Sequence, residues 1–167
     1  MASDETLAEH GRGPLKLRAG APNLQGMSRS LGKAPVVLTI DDSLMARTVL
    51  RRALVGAGFE VLEAVDGLDG LKKLTGEVAC VLCDVNMPRM NGFEFLSAAR
   101  GAGRPLPPVL MITAHENDRP PGAREMGVVG WIVKPFDPEL VVTTVRGLVN
   151  EPGNARMRLH DRFSAGS

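Results

Sequence analysis

Between residues 34 and about 150, short and nearly continuous apolar runs alternate with segments of helical period. The runs are Val36-Val37-Leu38-Thr39-Ile40, Phe59 to Glu63, Ala79 to Cys83, Val109 to Ile112, and Val128 to Val133. The second alternates apolar and polar positions and suits an edge strand. The others are almost wholly apolar, as strands covered on both faces require. Between the first two runs, Ala46, Val49, Leu50, Ala53 and Leu54 form one helical stripe, with Arg47, Arg51 and Arg52 expected to turn away from it. Gly58 is a stop signal. A second helix is expected from Asn91 or Gly92, with Phe93, Leu96 and Ala99 inside. Asp137-Pro138-Glu139 supplies an N-cap, a first-turn proline and a first-turn acid. It opens a helix whose Val141, Val142, Val145, Leu148 and Val149 face the core. Five strands alternating with helices predict an α/β domain with a doubly wound, five-stranded parallel sheet and right-handed crossovers. Its ligand site is expected beyond the carboxyl ends of the strands, where the winding reverses.

One connection breaks the pattern. In Asp118-Arg119-Pro120-Pro121-Gly122, Pro121 disfavours helical geometry at Pro120, so a helix there starts near Pro121 and ends near Gly127. Under two turns are left, which predicts a short or irregular fourth helix.

The flanks lack hydrophobic period. Residues 1–33 read as a disordered N-terminal extension and residues 151–167 as a C-terminal tail, with Met27 an alternative start just ahead of the 34–150 domain. Neither flank has the length of a DNA-binding output domain. Apolar residues make up 44% and charged residues 23%, enough for one well-filled core. The formal net charge of +1 gives no global case for nucleic acid. With no signal-peptide pattern and no membrane-length apolar stretch, a cytoplasmic protein without membrane insertion is expected. Cys80 and Cys83 form a C-x-x-C pair inside an apolar run. Three positions apart on a strand they point to opposite faces, so two small core residues are expected rather than a redox or metal pair.

The chemistry lies at the ends of the runs. Asp41-Asp42-Ser43 follows the first, Asp84 the third, Thr113-Ala114 the fourth and Lys134-Pro135-Phe136 the fifth. Each piece alone has a plain structural reading as a helix cap, a turn or a surface lysine. The topology, however, brings all four ends to one rim. Three carboxylates about 4 Å apart repel by ~4 kcal/mol per pair at an effective dielectric of about 20, so such a cluster calls for a cation. All-oxygen ligands favour a hard ion, Mg²⁺ or Mn²⁺. A carboxylate beside such an ion can accept a phosphoryl group, a lysine offsets charge on the phosphoryl oxygens, and a threonine can bond one of them.

Val37 to Ser43, Cys83-Asp84-Val85-Asn86-Met87-Pro88-Arg89-Met90-Asn91-Gly92, Ile112-Thr113-Ala114 and Lys134-Pro135-Phe136 resemble the four signatures of response-regulator receiver domains, over about residues 34–150. The first two blocks and Ala64-Val65-Asp66-Gly67 are most similar to single-domain, CheY-like members of chemotaxis type. The resemblance implies a flavodoxin-like strand order, 2-1-3-4-5. It implies Asp84 as phosphoacceptor, with Mg²⁺ held by Asp42 directly, by Asp41 through water, by Asp84 and by the backbone carbonyl of Asn86. It implies Thr113 as the switch hydroxyl and Lys134 as a contact of the phosphoryl group, with a cis bond before Pro135. Asn86 and His115 match variable positions that tune loss of that group. Trp131, the single tryptophan, stands where the family usually has a Tyr or Phe switch residue. The implied partners are a sensor histidine kinase or histidine phosphotransfer protein, and a downstream protein target. The expected chemistry is self-phosphorylation and autodephosphorylation rather than enzymatic turnover. A motor regulator, a phosphorelay intermediate and a phosphate sink remain open within this reading. An aspartyl-phosphate hydrolase is the distant alternative, because Asn86 stands where such enzymes usually place a second Asp.

Overall fold

The computed structural model describes residues 32–150. The expectations for the N-terminal extension up to residue 31, for Met27 and for the tail from residue 151 lie outside the described residues. The chain runs β1 (Val36–Ile40), α1 (Leu44–Gly56), β2 (Glu60–Ala64), α2 (Gly67–Lys73), β3 (Val78–Asp84), α3 (Gly92–Gly101), β4 (Val109–Thr113), β5 (Val128–Val133) and α4 (Pro138–Asn150). All strand pairs are parallel, in the order β2-β1-β3-β4-β5. The predicted doubly wound sheet is therefore the one observed. Among the described residues no helix is long and apolar enough to cross a membrane.

Helices cover both faces. Leu50 and Leu54 of α1 and Val141, Val145 and Leu148 of α4 pack with Val37, Leu82, Leu110 and Ile112 on one side. Phe95, Leu96 and Ala99 of α3 and Leu71 of α2 pack with Leu38, Val81 and Met111 on the other. This double cover explains why β1, β3 and β4 are apolar almost throughout, whereas β2 at the edge is only half buried. Cys80 and Cys83 are both buried and belong to opposite faces. Burial pushes the Cys80 thiol up to about 12 and the Cys83 thiol also upward, so both stay inert core groups.

Three local readings change. Helix α2 is invisible to periodicity because its seven residues include two glycines. It forms because Asp66 caps it, accepting from the Asp69 N–H at 2.9 Å, with Lys72 and Lys73 in its last turn. In α1, Arg47 was expected in solvent and Val49 in the core; Arg47 is buried and Val49 is exposed. The burial of Arg47 has an electrostatic cause, its bonds to the Asp41 carbonyl and Glu63. Between β4 and β5, residues 114–127 form turns with no helix, so the expected irregularity runs the whole length of the connection. Pro120 and Pro121 offer no N–H, and Gly122 sits at φ +85°, which breaks the right-handed path.

Helix α3 is pressed hard against the end of β3. A Cβ on Gly92 would stand 2.5 Å from the Asp84 carbonyl oxygen, 2.7 Å from Met111 Cε and 3.2 Å from Cys83 Sγ. The Gly92 N–H donates to Val85 O at 3.0 Å, so the helix cannot simply slide away. Gly92→Ala is expected to destabilise the protein by about 1–3 kcal/mol, as overpacking against backbone. Urea unfolding checks this, and unchanged stability would show that α3 can retreat at no cost.

Candidate functional site

The strand register assembles the site. Ile40 pairs with Cys83, Asp84 with Ile112, and Thr113 with Val133. Residues just at or past those pairs (Asp41, Asp84, Thr113 and Lys134) therefore stand at one level on one rim. Asp41, Asp84 and Thr113 are buried, Lys134 is half buried and Asp42 is exposed.

Lys134 is the hub. Its Nζ donates to Asp41 Oδ2 at 2.9 Å and to Asp84 Oδ1 at 3.2 Å. Its peptide bond to Pro135 is cis, as expected. Asp41 is engaged at both oxygens, because Oδ1 accepts the Ser43 N–H at 2.8 Å. Ser43 in turn caps α1, accepting from the Ala46 N–H. The carboxylate oxygens of Asp41, Asp42 and Asp84 can all lie within 4.8 Å of one another. Three carboxylates against one ammonium leave a net charge of −2, and all donors are oxygens, so a hard divalent cation fits this donor set. Asp41 is thus engaged at both oxygens, while the Asp42 side chain is exposed.

Burial, and then the charge of Asp41, push the Asp84 carboxyl up to about 6 against the pull of Lys134. At neutral pH the ionised form still prevails. Burial lowers the affinity of Lys134 for its proton, but the hydrogen bond and charge of Asp41 and then of Asp84 outweigh this and raise it, so the ammonium persists.

Arg47 was missed by sequence reading. Its guanidinium donates to the Asp41 carbonyl at 2.7 Å and lies 3.7 Å from Glu63, which also pairs with Arg51 at 3.3 Å. Helical side chains tilt toward the helix N-terminus, so a long donor in the first turn reaches back over the preceding loop. A first-turn arginine after an acidic strand end was the available signal. On the far side, Arg89 at φ 69° pairs with the buried Asp66, tying the segment after Asp84 to the cap of α2. Asn86 is exposed, and its side-chain amide lies 3.4 Å from Asp118 Oδ2.

Thr113 Oγ1 is 2.7 Å from Asp118 Oδ2 and 3.0 Å from His115 O, and it accepts the His115 N–H at 3.1 Å. With one proton to give, the hydroxyl donates to the carboxylate, the shorter and charge-assisted contact. Asp118 is a second residue whose role sequence reading missed. Its only signal was a five-residue offset from Thr113 across a connection with no regular period. Trp131 is half buried on β5, its ring centre 6.1 Å from that of Phe93 and 5.9 Å from Arg119 Cζ. Leu44 and Met45, beside Asp42, are 70% and 78% exposed.

Comparison with known proteins identifies the family. A family model described as response regulator receiver domain matches residues 37–146. The sensor histidine kinase CheAY of Helicobacter pylori is 34% identical over 125 residues, 71% of this chain and 15% of that protein. The chemotaxis protein CheV3 of the same organism is 34% identical over 138 residues, 75% of this chain and 44% of that protein. The chain thus spans less than half the length of these two relatives. Among solved structures, the chemotaxis response regulator CheY4 of Vibrio cholerae is 35% identical with a TM-score of 0.60, covering 68% of this chain and 98% of its own. A CheY-like receiver domain protein of Methanospirillum hungatei is 30% identical with a TM-score of 0.60, covering 69% and 94%.

Proposed function

The chain belongs to the response regulator receiver family, and on that premise we propose that it is a phosphorylation-controlled binding module whose acceptor is Asp84. The observation that carries this reading is the convergence of Asp41, Asp42, Asp84, Thr113 and Lys134 on one rim of the sheet. A carboxylate oxygen of Asp84 attacks the phosphorus of a phosphohistidine on a sensor kinase or phosphotransfer protein. An O–P bond forms, the N–P bond breaks, and the imidazole, protonated on its other ring nitrogen in the phosphohistidine, leaves as the neutral base. Lys134 turns from the Asp84 carboxylate to the new phosphoryl oxygens. Asp41, Asp42, Asp84 and the Asn86 carbonyl are the residues that would hold Mg²⁺ (or Mn²⁺), which supplies screening of the phosphoryl charge during transfer. Leu44 and Met45 offer the donor protein an apolar contact at the mouth. The chemotaxis relatives favour a chemotaxis pathway, within which a motor regulator, a phosphorelay intermediate and a phosphate sink are the alternatives. A pull-down with and without beryllofluoride separates these, since a motor regulator needs a state-dependent target and an intermediate needs a second phosphotransfer partner.

Incubation with acetyl phosphate and Mg²⁺ is expected to add one acid-stable, base-labile phosphoryl group to the peptide carrying Asp84. A group mapped to Asp41, Asp42 or a serine overturns the assignment. Sustained Asp84-dependent turnover of small phosphate esters, orders of magnitude beyond one phosphate per chain, would instead make the protein a hydrolase.

The output reading joins Thr113 to Trp131. Phosphorylation draws the Thr113 hydroxyl toward Asp84, and the indole moves into the space this leaves, one two-state change biased by the ligand. Beryllofluoride with Mg²⁺ is expected to shift Trp131 emission, Mg²⁺ alone to shift it less, and Thr113→Ala to remove most of the change while leaving phosphorylation in place. Unchanged emission with bound beryllofluoride would make Trp131 a packing residue only.

A further inference from the structure

Among the described residues, no hydrogen bond joins the Thr113 hydroxyl to Asp84. The hydroxyl is spent on Asp118 Oδ2 at 2.7 Å and on the His115 backbone. Asp118 is half buried and also lies 3.4 Å from the Asn86 amide, two positions beyond the acceptor. Its neighbour Arg119 stands over the indole of Trp131. Two consecutive residues of one irregular connection therefore touch the hydroxyl and the aromatic ring of the site. This connection has turns in place of a helix, closed by separate backbone bonds such as Asp118 N–H to His115 O at 3.2 Å rather than by a continuous helical ladder, so it can shift locally. Asp118 also borders a surface pocket of about 360 Å³ shared with Asn86, Phe93 and Pro120, which gives its side chain somewhere to go.

We propose that Asp118 is a positioning residue that holds the Thr113 hydroxyl in the unphosphorylated arrangement and so opposes the switch. The inference rests on the receiver reading above. A phosphoryl group on Asp84 competes with the Asp118 carboxylate for a single hydroxyl proton. The two are both anions, so the Thr113 hydroxyl cannot satisfy both, and the gain of one bond is set against the loss of the other. A contact made only in the unswitched state lowers the fraction of competent molecules and weakens apparent affinity by that fraction. Because Arg119 follows directly, release of Asp118 also loosens the contact over Trp131, linking hydroxyl and indole in one movement.

The test is a beryllofluoride titration in saturating Mg²⁺ on the full chain, read by the fluorine NMR signal of the bound species and by Trp131 emission. Asp118→Ala is expected to bind beryllofluoride about 5- to 20-fold more tightly than the natural chain. Asp118→Asn keeps an uncharged acceptor and is expected to fall between the two. Removing a nearby negative charge would by itself favour an anion, and repetition in the Thr113→Ala background separates that effect. There Asp118→Ala is expected to change affinity by less than about twofold, because no hydroxyl remains to be released. Unchanged or weaker binding by both Asp118 variants overturns the proposal, as does equal tightening with and without Thr113. Failure of the natural chain to bind beryllofluoride at all would instead remove the receiver reading on which the proposal stands.

Discussion

Replacing Asp84 with Asn is expected to abolish phosphoryl uptake and, at the same time, to make the metal-free protein more stable at neutral pH by about 1–3 kcal/mol. Loss of uptake follows because the amide is no nucleophile toward phosphorus and the neighbouring buried carboxylate, Asp41, is held by Ser43 and Lys134. The gain in stability follows from the crowding that serves the chemistry. Asp84 is buried beside Asp41, with Asp42 adding to the repulsion, and its carboxyl is pushed from 3.8 up to about 6. Folding thus raises its affinity for a proton, so the ionised form burdens the fold. That burden is fully present above about pH 6, shrinks as pH falls through 6 toward 3.8, and is gone below 3.8. The advantage of Asp84→Asn, measured by urea unfolding in a chelator, is therefore expected to be largest near neutrality and to shrink steadily on acidification. A variant less stable than the natural protein at pH 7, or a difference that stays flat across this window, contradicts the electrostatic account.

Lys134→Met is expected to act in the opposite direction. The ammonium is the one cation paired with the side-chain carboxylates of Asp41 and Asp84 among the described residues, and those carboxylates keep 1% and 7% of their side-chain exposure. Removing it leaves two buried charges without a partner, a change that costs ~3–5 kcal/mol in fully buried pairs. Lys134 retains 27% exposure, so a loss of about 2–4 kcal/mol is expected in the metal-free protein. The response to Mg²⁺ carries the sharper test. Ion and ammonium would draw on the same carboxylates, so each would weaken the other's hold in the natural protein, whereas the variant offers a cation no such competitor. The rise in Tm on adding Mg²⁺ is expected to be larger in Lys134→Met than in the natural chain. An equal or smaller rise would mean that Lys134 and the cation occupy separate oxygens.

The parts of this protein that depend on near neighbours were legible in the sequence. Strands and two of the long helices follow from apolar spacing, which depends only on period and on which face is covered. The Asn91 and Asp137 helix starts follow from side chains bonding backbone two or three positions away. The rim of Asp41, Asp42, Asp84, Thr113 and Lys134 could be placed as well, because parallel strands in one sheet end on a common edge. What period cannot carry was decided by tertiary structure. Arg47 reads as a solvent residue until the Asp41 carbonyl and Glu63 are brought to it. Helix α2 exists because Asp66 caps it while Arg89, from a distant loop, holds Asp66. Thr113 spends its hydroxyl on Asp118, which is carried back to it by a turn that the Asp118 N–H closes on the His115 carbonyl at 3.2 Å. In each case the deciding energy is a hydrogen bond or ion pair of a buried group, worth a few kcal/mol at most. Such a bond depends on distances that only the folded chain creates.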